Sequence, residues 1–214
     1  MLKPRSIVPV VEGPGDSEAT PLLLRRILWE GLSKYDITVE NPKSARGKKN
    51  LIKDYEKFLR YASIEPSCAG ILVLLDADDE CPVEEASNLV KRTKDLNLAK
   101  AVTIVEANSE YETWFLASLD SDQGMEIRTR LGIDQSEAYR GNVEDVHAKA
   151  WLKRAMPHGR TYKETSDQAA LSSLIDIEHT QQRSRSFRRL CHAVEELLCA
   201  IESGTPVVTP QIAG

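Results

Sequence analysis

"SIVPVVEGPGDSEATPLLL", residues 6–24, places a strand, a glycine turn and a helix next to one another. The apolar run Ser6–Val11 predicts a buried strand, and the leucine and isoleucine spacing over Ser17–Leu32 predicts a helix. Glu12 stands where the strand ends, beside Gly13 and Gly15. Glycines leave the backbone free to turn sharply and to approach a ligand, and a helix N-terminus adds partial positive charge. A strand that passes through such a turn into a helix indicates an α/β fold.

Two more buried strands follow the same plan. Residues 71–80, ILVLLDADDE, begin with an uninterrupted apolar run that is typical of a strand buried on both faces. A helix over 83–96 separates this strand from the apolar run Ala101–Val105, and a short strand is expected near residues 36–40. Strands that alternate with helices favour a mainly parallel, Rossmann-like sheet with helices on both faces.

The second half of the sequence is helical in pattern. Beyond Asn108 strand signals stop, and in Ser186–Ile201 apolar residues recur at the i, i+3, i+4, i+7 spacing of a packed helix. Further helices are expected over 110–119, 143–155 and 165–175. We therefore expect an α/β core over residues 1–108, a helical extension packed on it over 109–203, and a flexible tail over 204–214.

Composition excludes several classes of protein. No apolar run reaches the roughly 18 residues of a membrane span, and the N-terminus lacks a signal-peptide cleavage pattern, so we expect a cytoplasmic protein with no membrane partner. The cysteines and histidines show none of the usual zinc-ligand spacings. The formal net charge of −5 argues against indiscriminate binding to nucleic acid, although local basic patches remain.

Acidic residues gather where the predicted strands end. Glu12 follows the first strand, Asp76 and Asp78 follow the 71–75 strand, and an acidic group comes after the next strand, comprising Glu106, Glu110 and Glu112. Parallel strands bring these ends to one edge of the sheet. Two carboxylates about 4 Å apart repel by roughly 4 kcal/mol at an effective dielectric near 20, so such a group must protonate, separate or bind a cation. Hard oxygen ligands without cysteine or histidine favour Mg²⁺ or Mn²⁺.

The order of an acid, a glycine turn and a helix, followed by a DxD after a buried strand, resembles the two motifs of the TOPRIM domain over about residues 6–108. TOPRIM domains occur in topoisomerases, primases and the overcoming-lysogenization-defect nucleases. With EYETWFLASL (110–119) and the later YKET and SRSF segments, the whole chain resembles a small stand-alone bacterial TOPRIM-like family of unknown function.

The resemblance implies a set of site residues. Glu12 matches the TOPRIM glutamate that serves as metal ligand or general acid/base, and Asp76 and Asp78 match the metal-binding DxD. Asp16 matches a further acid of the nuclease relatives. Three more matches come from the small family itself: Glu110 and Glu112 as acids near the metal, and Lys163 as a late lysine that contacts phosphate. We therefore expect Mg²⁺ or Mn²⁺ as cofactor.

The resemblance also implies a function. It favours metal-dependent cleavage of nucleic-acid phosphodiesters, in a bacterial defence-type system with an ATPase partner, since the sequence carries no ATPase motif of its own. No tyrosine is placed as a strand-transfer nucleophile, which argues against a topoisomerase. A non-catalytic binding partner of an ATPase stays open, as does a magnesium-dependent phosphatase of the haloacid dehalogenase type. In such phosphatases the DxD usually lies on the first strand.

Basic residues supply candidates for contact with nucleic acid. One group lies in the polar loop and another near the start of the last helix: Arg46, Lys48 and Lys49, and Arg185, Arg188 and Arg189. Such residues give affinity for phosphates without sequence information. Charged helix faces are, however, more often simply solvated. Arginines at a helix N-terminus meet the unfavourable end of the helix dipole, which invites a functional explanation.

Overall fold

The computed structural model describes residues 5–78 and 81–210. Asp79 and Glu80 of the acidic run and the end of the predicted tail, 211–214, lie outside the described residues. The described chain forms a parallel sheet flanked by helices, as predicted. The strands are β1 (Arg5–Val11), β2 (Ile37–Val39), β3 (Lys43–Ser44), β4 (Cys68–Asp76), β5 (Ala101–Ala107) and β6 (Val208–Thr209).

The strand order is β2-β1-β4-β5-β6, with β3 paired to the end of β1 beyond β2. Every strand pairing among the described residues is parallel. The longest strands, β1, β4 and β5, therefore lie side by side with their carboxyl ends at one edge. Val11 pairs with Leu74, and Asp76 pairs with Ala107, so the residues that follow these strands meet at that edge.

The helices alternate with these strands in the first half and follow one another in the second. They are α1 (Pro14–Arg26), α2 (Lys48–Lys53), α3 (Tyr55–Ser63), α4 (Pro82–Asp95), α5 (Thr113–Ser118), α6 (Gly124–Leu131), α7 (Ala148–Ala155), α8 (Ala169–Ser172), α9 (Ile177–Arg183) and α10 (Arg185–Ser203). Two π-helical turns, Ile27–Gly31 and Glu164–Gln168, extend α1 and lead into α8. None of these described helices has the length and apolar character that a membrane crossing requires.

Alternate residues of the central strands face two separate apolar layers, because successive side chains of a strand point to opposite faces. Leu72 and Leu74 of β4 belong to the layer formed with α1, α5 and α10. Ile71, Val73 and Leu75 belong to the layer formed with α3 and α4. Both faces of the sheet are thus covered, which explains why these strands read as continuous apolar runs in the sequence.

Several boundaries differ from the sequence prediction. Helix α1 begins at Pro14 rather than Ser17, because proline is accommodated at the first helical position. The helix predicted over 143–155 is a short 3₁₀ turn followed by α7, with His147 in extended conformation between them. Helix α6 was not predicted. Strand signals were predicted to stop at Asn108, yet β6 pairs with β5 at the edge of the sheet, and the Thr209 hydroxyl also donates to the Thr103 hydroxyl at 2.8 Å.

Helix α10 runs back across the sheet, opposite in direction to the strands. Its N-terminus is capped by Ser184, whose Oγ accepts the N–H of Phe187 at 3.1 Å. Its later residues Leu197 and Ile201 pack against Gly70, near the start of β4. The first turn of α10 therefore lies towards the carboxyl edge, where the acidic residues are.

Candidate functional site

Glu12 and Asp76 lie side by side at the carboxyl edge, as predicted. The backbone N–H of Asp76 donates to Glu12 Oε1 at 2.7 Å, and Asp76 Oδ1 accepts the N–H of Tyr111 at 2.8 Å. Because β1 and β4 are neighbours in the sheet, the two acids meet although 63 residues stand between them in the sequence. The parallel sheet thus brings acids from separate motifs into one place.

The site disfavours the charged forms of these acids. Burial raises the pKa of Asp76 well above its usual range, and the nearby Glu112 and Glu12 raise it further. Burial also raises the pKa of Glu12 to about 7, although the hydrogen bond from the Asp76 N–H lowers it. The pKa of Asp16 is raised by burial as well. A group of acids with pKa values shifted in this direction is typical of a functional site.

Asp16 lies in the first turn of α1 and points into the same group. Its Oδ2 accepts the N–H of Gly13 at 3.2 Å, and its Oδ1 accepts Gln168 Nε2 at 2.8 Å. The carboxylate thus satisfies the N-terminus of its own helix while Gln168 holds it from the far side. A phosphate would have to compete with Asp16 for the N–H of Gly13.

Gly15 has a different role from the one the sequence suggested. A Cβ at this position would lie 2.2 Å from Gln168 Oε1 and 3.1 Å from the Cβ of Glu164. The glycine is therefore required for close packing of the 164–168 turn onto α1, rather than for the approach of a phosphate. The chain itself covers this side of the glycine turn.

Glu112 joins the Asp76 group, whereas Glu110 turns towards α7. Both carboxylate oxygens of Glu112 are buried without a hydrogen-bond partner among the described residues, and burial raises its pKa to about 7. Glu110 Oε2 accepts the N–H of Lys149 at 3.2 Å, in the first turn of α7. Glu110 thus stabilises a helix N-terminus, which is a favourable place for a carboxylate.

Lys149 is a residue of this site that sequence reasoning missed. Its Nζ lies 2.9 Å from Glu164 Oε1, 3.6 Å from Glu112 Oε2 and 3.7 Å from Asp76 Oδ2. These acids and the hydrogen bond to Glu164 outweigh burial and raise the pKa of Lys149. Lys163, the lysine expected here, is exposed, and its backbone N–H donates to Asp167 Oδ2. No local pattern distinguishes Lys149 from other helical lysines, so only the fold identifies it.

A second group of charges lies on the other face of the sheet edge. Glu106 is in β5 and follows the alternation of Val102 and Ile104 into the α3/α4 layer. Both of its carboxylate oxygens are buried without a partner among the described residues, and burial, with the nearby Glu85, raises its pKa to about 8. Glu85 was not predicted, because it lies on α4 with no sequence signal that relates it to the strands.

Lys48 belongs to this second group instead of facing solvent. Its Nζ lies 2.7 Å from Glu85 Oε2 and 3.6 Å from Asp78 Oδ2, and it donates to the carbonyls of Asp76 at 2.7 Å and Ala77 at 3.2 Å. Asp78 is mostly exposed and has a positive φ of 53°, so the chain turns sharply directly after Asp76. The side chains of Asp76 and Asp78 therefore lie on different faces of the sheet edge.

Of the other predicted basic residues, some are exposed and some are bonded to groups of the protein itself. Arg46 and Lys49 are exposed in the loop and the start of α2. Arg185 pairs with the buried Glu144 at 3.2 Å, and Glu144 also accepts the N–H of Ser186 at 2.7 Å. This buried carboxylate at the start of α10 explains how arginines are tolerated there. The next two arginines also bond within the protein: Arg188 donates to the carbonyl of Gln181, and Arg189 donates to the carboxylate of Glu196.

The chemistry of the donors fits a hard divalent cation. The site offers carboxylate oxygens from Glu12, Asp16, Asp76 and Glu112, and the buried Glu112 oxygens have no hydrogen-bond partner among the described residues. The same described residues contain no preformed group of three acidic, histidine or cysteine ligands around one point. In their place, the ammonium of Lys149 lies between the carboxylates of Asp76, Glu112 and Glu164.

The fold and site define a parallel α/β protein with a carboxylate-rich sheet edge. A family model, the domain of unknown function DUF4276, matches residues 11–195. The chain belongs to this family. No curated protein and no solved structure matches it.

Proposed function

We propose that this protein is a TOPRIM-like nuclease that cleaves nucleic-acid phosphodiesters with Mg²⁺ or Mn²⁺. The observation that supports this proposal is the contact between Glu12 and Asp76, which joins the two motifs of the TOPRIM resemblance at one edge of the sheet. Burial, with the neighbouring carboxylates, raises the pKa of both acids, and a bound divalent cation would stabilise their charged forms.

In this proposal Glu12 and Asp76 hold the cation, and Asp16 and Glu112 complete the acidic surroundings. Asp78, the second acid of the DxD, lies near Lys48 on the other face of the edge. A bound divalent cation would polarise the phosphoryl oxygens and activate water. Tyr111 N–H orients the Asp76 carboxylate, and the Asp76 N–H orients Glu12. Because these donors are backbone groups, the two carboxylates are positioned before any substrate arrives.

Nucleic acid and an ATPase are the partners that fit this proposal. Exposed Arg46 and Lys49 lie just before and within the first turn of α2, the helix whose Lys48 reaches the acidic edge. Arg185 lies at the start of α10, where Glu144 also accepts the side-chain amide of Asn108 that follows β5. Basic groups on two sides of the edge suit contact with a phosphate backbone. A separate ATPase chain would supply any nucleotide-driven step of a defence-type system.

One observation favours a second candidate, a non-catalytic binding partner of an ATPase. Lys149 already neutralises part of the charge on Asp76 and Glu112, so the folded protein does not need a metal ion to tolerate them. In that case the acidic edge would recognise a partner or stabilise the fold without turnover. A small phosphomonoester in the assay below would reveal the third option, a magnesium-dependent phosphatase.

Calorimetric titration with Mg²⁺ and Mn²⁺, followed by incubation with plasmid DNA, RNA and 4-nitrophenyl phosphate, tests the proposal. The assays compare the wild type with Asp76→Asn and with the control Asp95→Asn, an exposed acid at the end of α4. Loss of metal binding and of nucleic-acid cleavage in Asp76→Asn alone would support the nuclease. Cleavage that persists unchanged in Asp76→Asn would refute the assignment, and binding of metal without cleavage would favour the partner role.

A further inference from the structure

Lys149 has no role in the function proposed above, yet it occupies the centre of the acidic group. Its ammonium lies within 3.7 Å of carboxylates from three separate chain segments: Asp76 at the end of β4, Glu112 before α5 and Glu164 in the turn before α8. This is the position that a metal ion shared by Asp76 and Glu112 would take. A lysine placed among converging acids is a cation built into the chain.

We infer that Lys149 holds the cation position of this site, and that a divalent ion must displace its ammonium in order to bind Asp76 and Glu112. This inference rests on the proposed metal site. It explains why the described residues contain no preformed set of three ligands. With the ammonium in place the carboxylates surround Lys149, and their oxygens stay spread around it.

The way in which Lys149 is held allows such a displacement. Its backbone is fixed, because its N–H donates to Glu110 in the first turn of α7. Its ammonium is held at hydrogen-bond distance by Glu164, which is about half exposed, while Asp76 and Glu112 lie farther away. A lysine side chain has four flexible bonds and keeps its charge in water at little cost. The head group can therefore move to solvent while the helix stays in place.

Lys48, on the opposite face, provides the contrast. Its ammonium donates to the carbonyls of Asp76 and Ala77 and contacts Glu85, and its side chain is 14% exposed against 39% for Lys149. Backbone carbonyls cannot rotate away from it as a carboxylate side chain can. Lys48 is thus a fixed part of the edge, whereas Lys149 is the cation that can be exchanged.

A divalent ion has the electrostatic advantage in this exchange. The ionised carboxylates of Asp76, Glu112 and Glu164 surround the single positive charge of Lys149, so they leave an excess of negative charge around it. Two charges at the same point neutralise more of this excess than one does. The loss of the Lys149 contacts is subtracted from the binding free energy of the metal, so the lysine should lower the metal affinity of the site.

The first experiment compares Mg²⁺ and Mn²⁺ binding by Lys149→Met and by the control Lys153→Met, using calorimetry on the full chain. Lys153 is exposed on the same helix one turn later. We expect Lys149→Met to bind on the order of tenfold more tightly than the wild type, the size of the effect of losing a partly exposed salt bridge. Lys153→Met should bind as the wild type does.

A second measurement uses the wild type and does not depend on whether the variant folds. Amine acetylation followed by mass spectrometry gives the labelling rate of Lys149 with and without Mg²⁺, with Lys153 and Lys48 as internal references. We expect Mg²⁺ to accelerate labelling of Lys149 several-fold, because its ammonium leaves the carboxylates, and to leave both references unchanged.

The outcomes separate this inference from the proposed function. Metal binding by the wild type that Asp76→Asn abolishes, together with equal or weaker binding by a folded Lys149→Met and unchanged labelling of Lys149, would overturn the inference and leave the metal site intact. No metal binding by either the wild type or a folded Lys149→Met would overturn both. Tighter binding by Lys149→Met, or metal-dependent labelling of Lys149, would support the exchange.

Discussion

The backbone N–H of Asp76 donates to the carboxylate of Glu12 at 2.7 Å. This hydrogen bond connects the ends of two neighbouring parallel strands and orients one acid by means of the other's backbone. It also lowers the pKa of Glu12, but burial outweighs it and leaves that pKa at about 7. The acidic edge is therefore organised by backbone groups and remains electrostatically strained.

The stability of the metal-free protein should fall as pH rises. Burial raises the pKa of Glu12 and Glu112 to about 7 and that of Glu106 to about 8, from a usual value of 4.5. The native state therefore binds more protons than the unfolded state between these values, and its free energy of unfolding decreases from about pH 4.5 to about pH 8. Each carboxyl should contribute on the order of 1 kcal/mol or more.

Urea denaturation between pH 5 and pH 8 in the presence of a chelator measures this dependence. Stability that increases with pH over this range would contradict it. Addition of Mg²⁺ at pH 8 should recover part of the loss, since ligands that bind only the native state stabilise it.

Glu106→Gln should stabilise the protein at pH 9 and have little effect at pH 5. The Glu106 carboxylate is buried, and neither oxygen has a partner among the described residues. Above its pKa of about 8 the glutamate is a buried charge without a hydrogen-bond partner among the described residues, whereas below it the protonated acid resembles the neutral amide. Thermal unfolding of both proteins at the two pH values gives the comparison. A variant that is less stable than the wild type at pH 9 would show that other groups stabilise the negative charge of Glu106 in the folded protein.

Gly15→Ala should destabilise the protein by about 1–3 kcal/mol, because its Cβ would overlap Gln168 and press on Glu164. The matched control is Gly31→Ala, where a Cβ meets no described atom within 4 Å and φ is not positive. Chemical denaturation measures both changes. Equal effects at the two glycines would refute the tight contact between α1 and the 164–168 turn.

Replacement of both Arg46 and Lys49 by alanine should weaken binding to DNA or RNA and reduce the slope of log affinity against log salt by up to about 2. Both side chains are exposed beside the acidic edge. The control replaces Lys91 and Lys94, exposed residues of α4, and keeps the same net charge as the test variant. Fluorescence anisotropy at several salt concentrations measures the slopes, and identical slopes in the two variants would exclude a specific contact by this loop.

Much of the architecture could be predicted because its signals are local. Continuous apolar runs predicted β1, β4 and β5, and parallel pairing then placed Glu12 and Asp76 at one edge. The 3.6-residue period predicted α10 to within two residues at each end. Shorter elements were harder to predict from the sequence. Strand β6 has two residues, and its pairing with β5 depends on the whole fold.

The sequence by itself determined the order of strands and helices and the position of acids at strand ends, since apolar periodicity and the residue after a strand are properties of neighbouring positions. Tertiary structure alone decided the rest of the site. It turned Lys48 inward, placed Lys149 rather than Lys163 among the acids, and packed Gln168 against Gly15. These relationships join segments far apart in the chain. The groups involved interact only when packing brings them within a few ångströms of one another.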